Sequence, residues 1–219
     1  MKKTIILVLT TVFAVQMHAQ INEPGRFYIT PKLGYNMANI TLLDDFGADP
    51  RHALHAGIAA EYAFSERLSL EPGLFYSMQG SAFKGNTENR GLSLNSDYLT
   101  VPLLIKVYVA EGLHLFAGPQ FGYLVSSRFK AKTGSKLIDG ILNLVSNNID
   151  LTKYQNKLDV AVVAGVGYQF AGGLQISANY QLGMMNVPDF GEFTLGDNTF
   201  TLNPDAKNRV LQVSIGYRF

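Results

Sequence analysis

The chain has 219 residues, no cysteine, a formal net charge of +1 and 47% hydrophobic residues. The lack of cysteine excludes a disulfide framework and thiolate chemistry, and the small net charge gives no basis for binding nucleic acid or for a polybasic segment on a membrane surface. The length is sufficient for one domain.

The first 19 residues have the parts of a secretory signal peptide. Lys2 and Lys3 give a positive start, residues 4–15 are apolar, and the small residue Ala19 closes the segment. The apolar run is short for a hydrocarbon core of about 30 Å, so a transmembrane anchor is the less favoured alternative. No Cys follows the cleavage site, which excludes a lipidated N-terminus. We predict a signal peptide over residues 1–19 and one barrel domain over residues 20–219, whose formal charge falls to about −1 without the two lysines.

Eight stretches of the remaining chain alternate apolar and polar residues with a period of two, as strands do. In the last of them, residues 211–219, the odd positions are apolar and the even positions are Gln, Ser, Gly and Arg. The apolar side of the stretches carries aromatic residues near both ends, and the polar side carries small residues and isolated charges. This pattern is typical of lipid outside and a polar, filled interior. We therefore predict an all-β fold, an eight-stranded antiparallel up-and-down transmembrane β-barrel.

The predicted strands cover, in chain order, residues 27–38, 53–64, 67–79, 98–109, 113–125, 157–170, 174–184 and 211–219. Three connections are tight turns, at Ser65-Glu66, Ala110-Glu111 and Ala171-Gly172. Four connections are long, near residues 39–52, 80–97, 126–156 and 185–208. Bacterial barrels have short periplasmic turns and longer extracellular loops, so we expect both termini in the periplasm and the long loops outside the cell.

The residues assigned to the lipid side support this reading. None of them is charged within the predicted strands, and a Lys or Arg facing lipid at mid-depth would cost roughly 2–4 kcal/mol. Their aromatic members sort into two groups, as expected for belts at both interfaces. The group near the periplasmic ends comprises Phe27, Tyr62, Phe64, Tyr168, Phe170, Tyr217 and Phe219. The group near the other rim comprises Tyr35, Tyr76, Phe121, Tyr123 and Tyr180.

Four prolines fall inside predicted strands: Pro31, Pro72, Pro102 and Pro119. A closed barrel has no free edge to accommodate a missing N–H. Each proline is therefore expected to mark a bulge or the end of a ladder.

The fourth predicted strand carries a recognisable run, Tyr98-Leu-Thr-Val-Pro-Leu-Leu-Ile-Lys106. It resembles the "YLxIPLLxK" motif of the PorT-like outer-membrane β-barrel family. The segments Leu115-Phe-Ala-Gly-Pro119 and Gly165-Val-Gly-Tyr168, and the aromatic last residue, are similar to the strands that follow in that family. The resemblance covers nearly the whole mature chain and implies an eight-stranded outer-membrane barrel. It implies little about function beyond a tie of the founding member to protein secretion, because a fold does not settle a function.

Four charged residues occupy inward positions on four consecutive predicted strands: Lys32, Glu61, Glu71 and Lys106. Glu61 and Glu71 are expected to stand nearly opposite each other, where two carboxylates would repel. The flanking lysines would relieve this in a plus–minus–minus–plus ladder. We interpret the set as a structural salt-bridge plug, because the interior of an eight-stranded barrel is just wide enough for side chains to fill. A proton-sharing carboxylate pair and a gated pore are the alternatives.

The mature chain has three histidines: His52, His55 and His114. The favoured interpretation of each is a solvated or core-satisfied side chain. One alternative is a surface hydrolase that uses a histidine with Ser126, Ser127 or Asp159. The other is a metal site at His52 and His55, which would need a helical turn. No catalytic, cofactor-binding or metal-binding residue and no cofactor is predicted.

The longest connection contains apolar residues at helical spacing: Leu137, Ile138, Ile141, Leu142, Leu144 and Val145. They predict a short amphipathic helix over about residues 135–146. This helix either caps the barrel mouth, together with Phe190, Phe193 and Phe200 of the fourth long connection, or docks to a partner protein or to the membrane surface.

These observations predict a non-catalytic integral protein of the bacterial outer membrane, surrounded by outer-membrane lipid. Its predicted role is structural or in protein interaction through the extracellular loops, as an accessory to secretion or surface assembly. A small-solute transporter or porin-like channel is the alternative, and an outer-membrane hydrolase is less favoured. Tyr217 and Phe219 end an alternating C-terminal strand, which resembles the signal that barrel-assembly machinery reads during biogenesis.

Overall fold

The computed structural model describes residues 22–41, 49–84, 90–133, 156–187, 192–195, 198–201 and 206–219. Eight long strands form a closed barrel, and two short strands form a separate hairpin. The barrel strands are β1 Phe27–Ile40, β2 Asp49–Ala63, β3 Leu68–Lys84, β4 Arg90–Tyr108, β5 Leu113–Thr133, β6 Leu158–Gln169, β7 Leu174–Asn186 and β10 Lys207–Tyr217. The hairpin strands are β8 Glu192–Leu195 and β9 Asn198–Thr201. In these ranges, no helix has the length and apolar character needed to cross a membrane.

All neighbouring strands of the barrel are antiparallel. Strands β1 to β7 follow one another around the wall, and β10 closes it by pairing with both β7 and β1. In the closing seam Tyr35 of β1 pairs with Val213 of β10, while on its other side Tyr35 pairs with Leu54 of β2. The predicted eight-stranded antiparallel barrel is therefore confirmed.

The wall has an apolar outside and a mainly polar inside, within which Leu104, Phe116 and Val163 form a small apolar cluster. Leu33 and Ile58 point outward and are 54% and 55% exposed, whereas Asn36 and Ser77 point inward and are 0% and 1% exposed. The alternation within each strand produces both faces at once, because successive side chains of a strand point to opposite sides. Such a surface is stable in lipid, where a closed barrel satisfies all its backbone groups internally.

The two ends of the barrel differ. Three short turns, at residues 64–67, 109–112 and 170–173, lie at the end that also carries residues 22–26 and the last residue, Phe219, and we call it the terminal end. Alternation along the strand predicted over residues 67–79 places its first residue, Arg67, at an inward position, but Arg67 lies in the first of these turns and is exposed. Strand β2 ends at Ala63 and β3 begins at Leu68, so the turn, and not the alternation of a strand, determines where the Arg67 side chain points.

The opposite end, which we call the loop end, has more strand than the sequence predicts. Strand β3 continues to Lys84 and β4 already begins at Arg90, so the long loop predicted near residues 80–97 is mostly sheet. Strand β5 likewise runs to Thr133, and the fourth predicted loop contains the β8–β9 hairpin. These segments pair beyond the apolar band of the barrel. Outward side chains there do not face lipid, so the sequence does not need to alternate apolar and polar residues.

Aromatic residues mark both ends of the outer wall, as predicted. At the terminal end their rings pair within and between neighbouring strands, with centroids 4.6 to 5.0 Å apart in the pairs Phe27–Tyr62, Tyr62–Phe64, Tyr168–Phe170 and Tyr217–Phe219. At the loop end the exposed aromatic side chains are Tyr35, Tyr76, Phe121, Tyr123 and Tyr180.

Each strand proline lies at a gap in one hydrogen-bonded ladder. The ladder between β4 and β5 skips the pair formed by Leu103 and Pro119. The ladder between β3 and β4 skips Pro102, and that between β2 and β3 skips Pro72. The ladder between β1 and β10 begins one residue after Pro31. The strand continues past each gap, so the barrel accommodates a missing N–H by leaving a pair open.

Candidate functional site

Four charged side chains meet inside the barrel, and we call them the charged layer: Lys32 of β1, Glu61 of β2, Glu71 of β3 and Lys106 of β4. Lys106 Nζ lies 2.8 Å from Glu61 Oε2 and 2.7 Å from Glu71 Oε2. Lys32 Nζ lies 2.6 Å from Glu71 Oε1. Glu61 is fully buried and Lys106 is 1% exposed. The layer is therefore a mostly buried network in which each charge has an opposite neighbour.

The order of charges differs from the predicted ladder. The register places Glu61 opposite Glu71, as expected, but the ammonium group of Lys106 lies between the two carboxylates. Lys32 passes the adjacent strand β2 and contacts Glu71 of β3. The network thus runs Lys32, Glu71, Lys106, Glu61. It alternates because a narrow interior lets long side chains reach beyond the neighbouring strand.

Neutral groups complete the coordination of Glu61. Its Oε1 accepts hydrogen bonds from the Ser69 hydroxyl at 2.6 Å and the Tyr108 hydroxyl at 2.8 Å. The Asn22 amide Nδ2 also donates to it, at 3.5 Å. A buried carboxylate is tolerated when its lone pairs are filled in this way.

A third cation, Arg218, closes the terminal end of this network. The Arg218 guanidinium carbon lies 3.4 Å from the ring centroid of Tyr28. Its Nη2 donates to Asn22 Oδ1 at 2.5 Å and its Nη1 to the Tyr108 hydroxyl at 3.3 Å. Alternation already marks Tyr28, Tyr108 and Arg218 as inward. Asn22 precedes the first strand, so no periodic signal could have identified it.

A small cavity lies beside Lys32 and Glu71. Its volume is about 40 Å³, which is room for a few water molecules at roughly 10–15 Å³ each. One part of its lining is polar: Gln120, Ser177, Asn179, Gln181, Gln212 and Ser214. The other part is apolar: Phe75, Pro102, Leu104, Phe116 and Val163. The cavity suits internal water and has no room for a metabolite.

His55 is a core residue with both ring nitrogens engaged. Its Nδ1 lies 2.6 Å from Asn36 Oδ1 and its Nε2 lies 2.8 Å from Ser214 Oγ. His52 lies on the outer face and stacks on Tyr35, with centroids 5.7 Å apart. The metal site considered for His52 and His55 is wrong, because residues 49–63 form a strand and not a helical turn. Within the described residues, no group of three or more His, Asp or Glu is placed to hold a metal ion.

The line Ser214, His55, Asn36 has the order of nucleophile, base and orienting group in a hydrolase. All three are buried, at 6%, 4% and 0% exposure, and the adjoining cavity of about 40 Å³ is too small for a substrate, so a substrate carbonyl cannot reach the hydroxyl. Asp159, considered as a catalytic partner, instead accepts a hydrogen bond from Asn208 Nδ2 at 3.1 Å.

Two further sets of predicted site residues have different outcomes. Leu137, Ile138, Ile141, Leu142 and Val145 lie outside the described residues, as does the predicted signal peptide. Tyr217 and Phe219 face outward at the terminal end and are 47% and 72% exposed. The Phe219 N–H donates to Ile29 O at 2.9 Å, and the Ile29 N–H donates back at 3.3 Å. The last residue therefore extends the β1–β10 seam.

Comparison with known proteins gives one family match. The model of the family described as outer membrane protein beta-barrel domain matches residues 18–189. No curated protein matches the chain.

Several solved structures of outer-membrane proteins are similar at low identity. Ail, the attachment invasion locus protein of Yersinia pestis, is 13% identical with a TM-score of 0.47, and the match covers 90% of this chain and 100% of Ail. Neisserial surface protein A is 12% identical with a TM-score of 0.44, over 90% of this chain and 100% of that one. OprG of Pseudomonas aeruginosa is 16% identical with a TM-score of 0.41, over 92% and 99%.

Proposed function

Since this chain belongs to the outer membrane protein beta-barrel domain family, we propose that it is a non-catalytic outer-membrane barrel with a closed lumen, which serves as a structural or protein-interaction component. The observation that carries this proposal is the position of Lys106 between Glu61 and Glu71 inside the barrel. Because the interior of the barrel is occupied by its own ion pairs, partners can bind only to surfaces outside the lumen.

The charged layer acts as a plug. Breaking a buried ion pair by removing one partner typically costs about 3–5 kcal/mol, so thermal fluctuation seldom separates three such contacts. Arg218 and Asn22 add a second barrier toward the terminal end. The cavity beside Glu71 is a water pocket within this plug.

The barrel is oriented with its terminal end in the periplasm and its loop end outside the cell. Short turns at one end and longer connections at the other support this orientation. The extracellular part, which includes the extensions of β3, β4 and β5, is then the surface for a protein partner in secretion or surface assembly. The apolar set at residues 137–145 is the docking element of this proposal.

Cross-linking of intact outer membranes, mild detergent extraction and mass spectrometry of co-purifying proteins test the interaction role. We expect a stoichiometric partner with the wild-type chain and its loss on deletion of residues 135–146. A variant with Asn143, Asn147 and Asn148 changed to Ser is the matched control, since it alters the same segment but keeps the apolar set. A barrel that purifies alone in every case would overturn the interaction role.

A small-solute channel is the second candidate, and the water-sized cavity beside Glu71 is what favours it. In planar bilayers we expect no large steady conductance from wild type or from Glu71→Ala, which should weaken the barrel without opening it. Gln120→Ala, at another cavity position, is the control. Large steady conductance of wild type would establish the channel, and that of Glu71→Ala alone would contradict a plug formed by the whole layer.

A further inference from the structure

Arg209 is an outward-facing cation with an anchored guanidinium. It lies opposite Asn39 of β1 and Leu182 of β7, at a register shift between β7 and β10. Its Nη1 donates to Gly183 O at 2.9 Å and to Asn208 O at 3.1 Å. Gly183 permits this close packing, because a Cβ there would lie 2.8 Å from Asn208 O. One edge of the guanidinium is therefore bound to the barrel wall.

The other edge of the guanidinium has no hydrogen-bond partner among the residues that the structure describes. Arginine has five N–H donors in a planar fork, and within the described part of the chain Nε and Nη2 of Arg209 have no protein partner. The next outward positions toward the membrane centre are lipid-facing, with Leu211 and Tyr180 42% and 45% exposed. The free donors thus lie at the level of the aromatic belt, where lipid headgroups begin.

The charge distribution around the barrel favours an anion at this level. Among the side chains that the structure describes, the exposed or half-buried charged residues of the barrel strands at the loop end are Asp49, Arg51, Asp97, Arg128, Lys207 and Arg209. Four of the six are cations, and Asp97 is engaged by Arg51 at 3.7 Å and by the Tyr76 hydroxyl at 3.0 Å. The turns at the terminal end carry two glutamates and one arginine: Glu66, Arg67 and Glu111. Within the described residues, the loop-end rim therefore carries more cations than anions.

We infer that Arg209 binds the phosphate of an anionic lipid in the leaflet at the loop end. Nε and Nη2 form the two parallel contacts that guanidinium makes with phosphate oxygens. The acyl chains of the lipid lie along Leu182 and Leu211. In the orientation of the proposed function this is the outer leaflet, but the binding itself does not depend on that function or on the plug.

Native mass spectrometry of the full mature chain in detergent micelles, titrated with phosphatidylglycerol or phosphatidylcholine, tests the site. We expect wild type to retain phosphatidylglycerol in preference to phosphatidylcholine. Arg209→Gln should weaken phosphatidylglycerol binding at least about tenfold, because it removes both charge-assisted contacts of the guanidinium with the phosphate. Arg209→Lys keeps the charge but not the fork and should be intermediate. Arg128→Gln removes an exposed rim cation on β5 and should bind like wild type.

Heat-modifiable gel mobility of every variant verifies that the barrel is folded. Unchanged phosphatidylglycerol binding by folded Arg209→Gln, or an equal loss in Arg128→Gln, would overturn the site. If Arg209→Gln does not fold, Arg209→Lys decides, since wild-type binding by that variant contradicts recognition through the fork. Displacement of phosphatidylglycerol by equimolar inorganic phosphate would also overturn it, because it would identify a site for free phosphate.

Discussion

Lys106 is the residue on which the charge balance of the lumen depends. It is 1% exposed and lies within 2.8 Å of both buried carboxylates. Lys106→Met should lower the free energy of unfolding by about 3–5 kcal/mol, because it leaves Glu61 without its ammonium partner and Glu71 with only Lys32. Urea unfolding in detergent micelles or lipid vesicles measures the change.

A second variant distinguishes charge imbalance from lost packing. Lys106→Met combined with Glu61→Gln leaves the Lys32–Glu71 pair intact and the layer neutral. It should recover most of the lost stability, since replacing a buried ion pair by neutral groups is often close to neutral. Equal destabilisation of the single and double variants would mean that packing of the lysine stem is the cause.

The sequence reveals directions of side chains better than their partners. Alternation places Lys32, Glu61, Glu71 and Lys106 inside, because period two and a lipid exterior leave no other choice. It cannot tell that Lys32 contacts Glu71 across β2, since that depends on strand tilt and stagger. For Arg67 even the direction predicted from alternation is wrong, because the residue lies in a turn and not in a strand.

A substitution at Pro119 tests whether the open pair in the β4–β5 ladder lowers the stability of the barrel. It faces outward, and the skipped pair with Leu103 leaves a carbonyl without its N–H. Pro119→Val restores the donor in an apolar medium and should raise the free energy of unfolding by about 1 kcal/mol. Hydrogen exchange should also slow at the neighbouring amides of β4 and β5.

Ala117→Val is the matched control for Pro119→Val. It adds an apolar side chain on the same outward face of β5, at a position whose pair with Ile105 is already formed. It should leave hydrogen exchange nearly unchanged. Equal stabilisation by both valines would indicate that contact with the surrounding detergent or lipid, and not the added hydrogen bond, is responsible.

Strand bounds were predictable where lipid enforces the pattern and not beyond it. The predicted and observed starts of the first and seventh strands coincide at Phe27 and Leu174. Strand β4 instead begins at Arg90, well before the predicted start near Tyr98. The extra residues pair with β3 and β5 outside the apolar band, so no alternation of apolar and polar residues in the sequence predicts them.

Deletion of Phe219 tests assembly of the whole barrel. The residue is 72% exposed and joins the seam through Ile29. If the C-terminal aromatic is read by barrel-assembly machinery, deletion should reduce folded protein in the outer membrane severalfold, measured by heat-modifiable mobility of membrane fractions. Refolding of purified deleted chain into detergent should be much less affected, because no machinery participates there.

Phe27→Leu is the control for the loss of an aromatic ring. Phe27 is equally exposed, at 72%, on the adjacent strand at the same end. Normal membrane levels of Phe27→Leu beside reduced levels of the Phe219 deletion would separate a C-terminal signal from belt anchoring. Unchanged insertion of the Phe219 deletion would count against the signal.

The pairing of β1 with β10 joins the earliest and the latest barrel strands in the sequence. Until β10 arrives, β1 presents a row of open backbone groups, each of which costs several kcal/mol in hydrocarbon. A polypeptide cut short before β10 can fold seven strands and still remain an open sheet that the membrane does not tolerate. Only a chain that includes β10 can close the seam, so the fold itself makes insertion into the membrane depend on a complete set of strands.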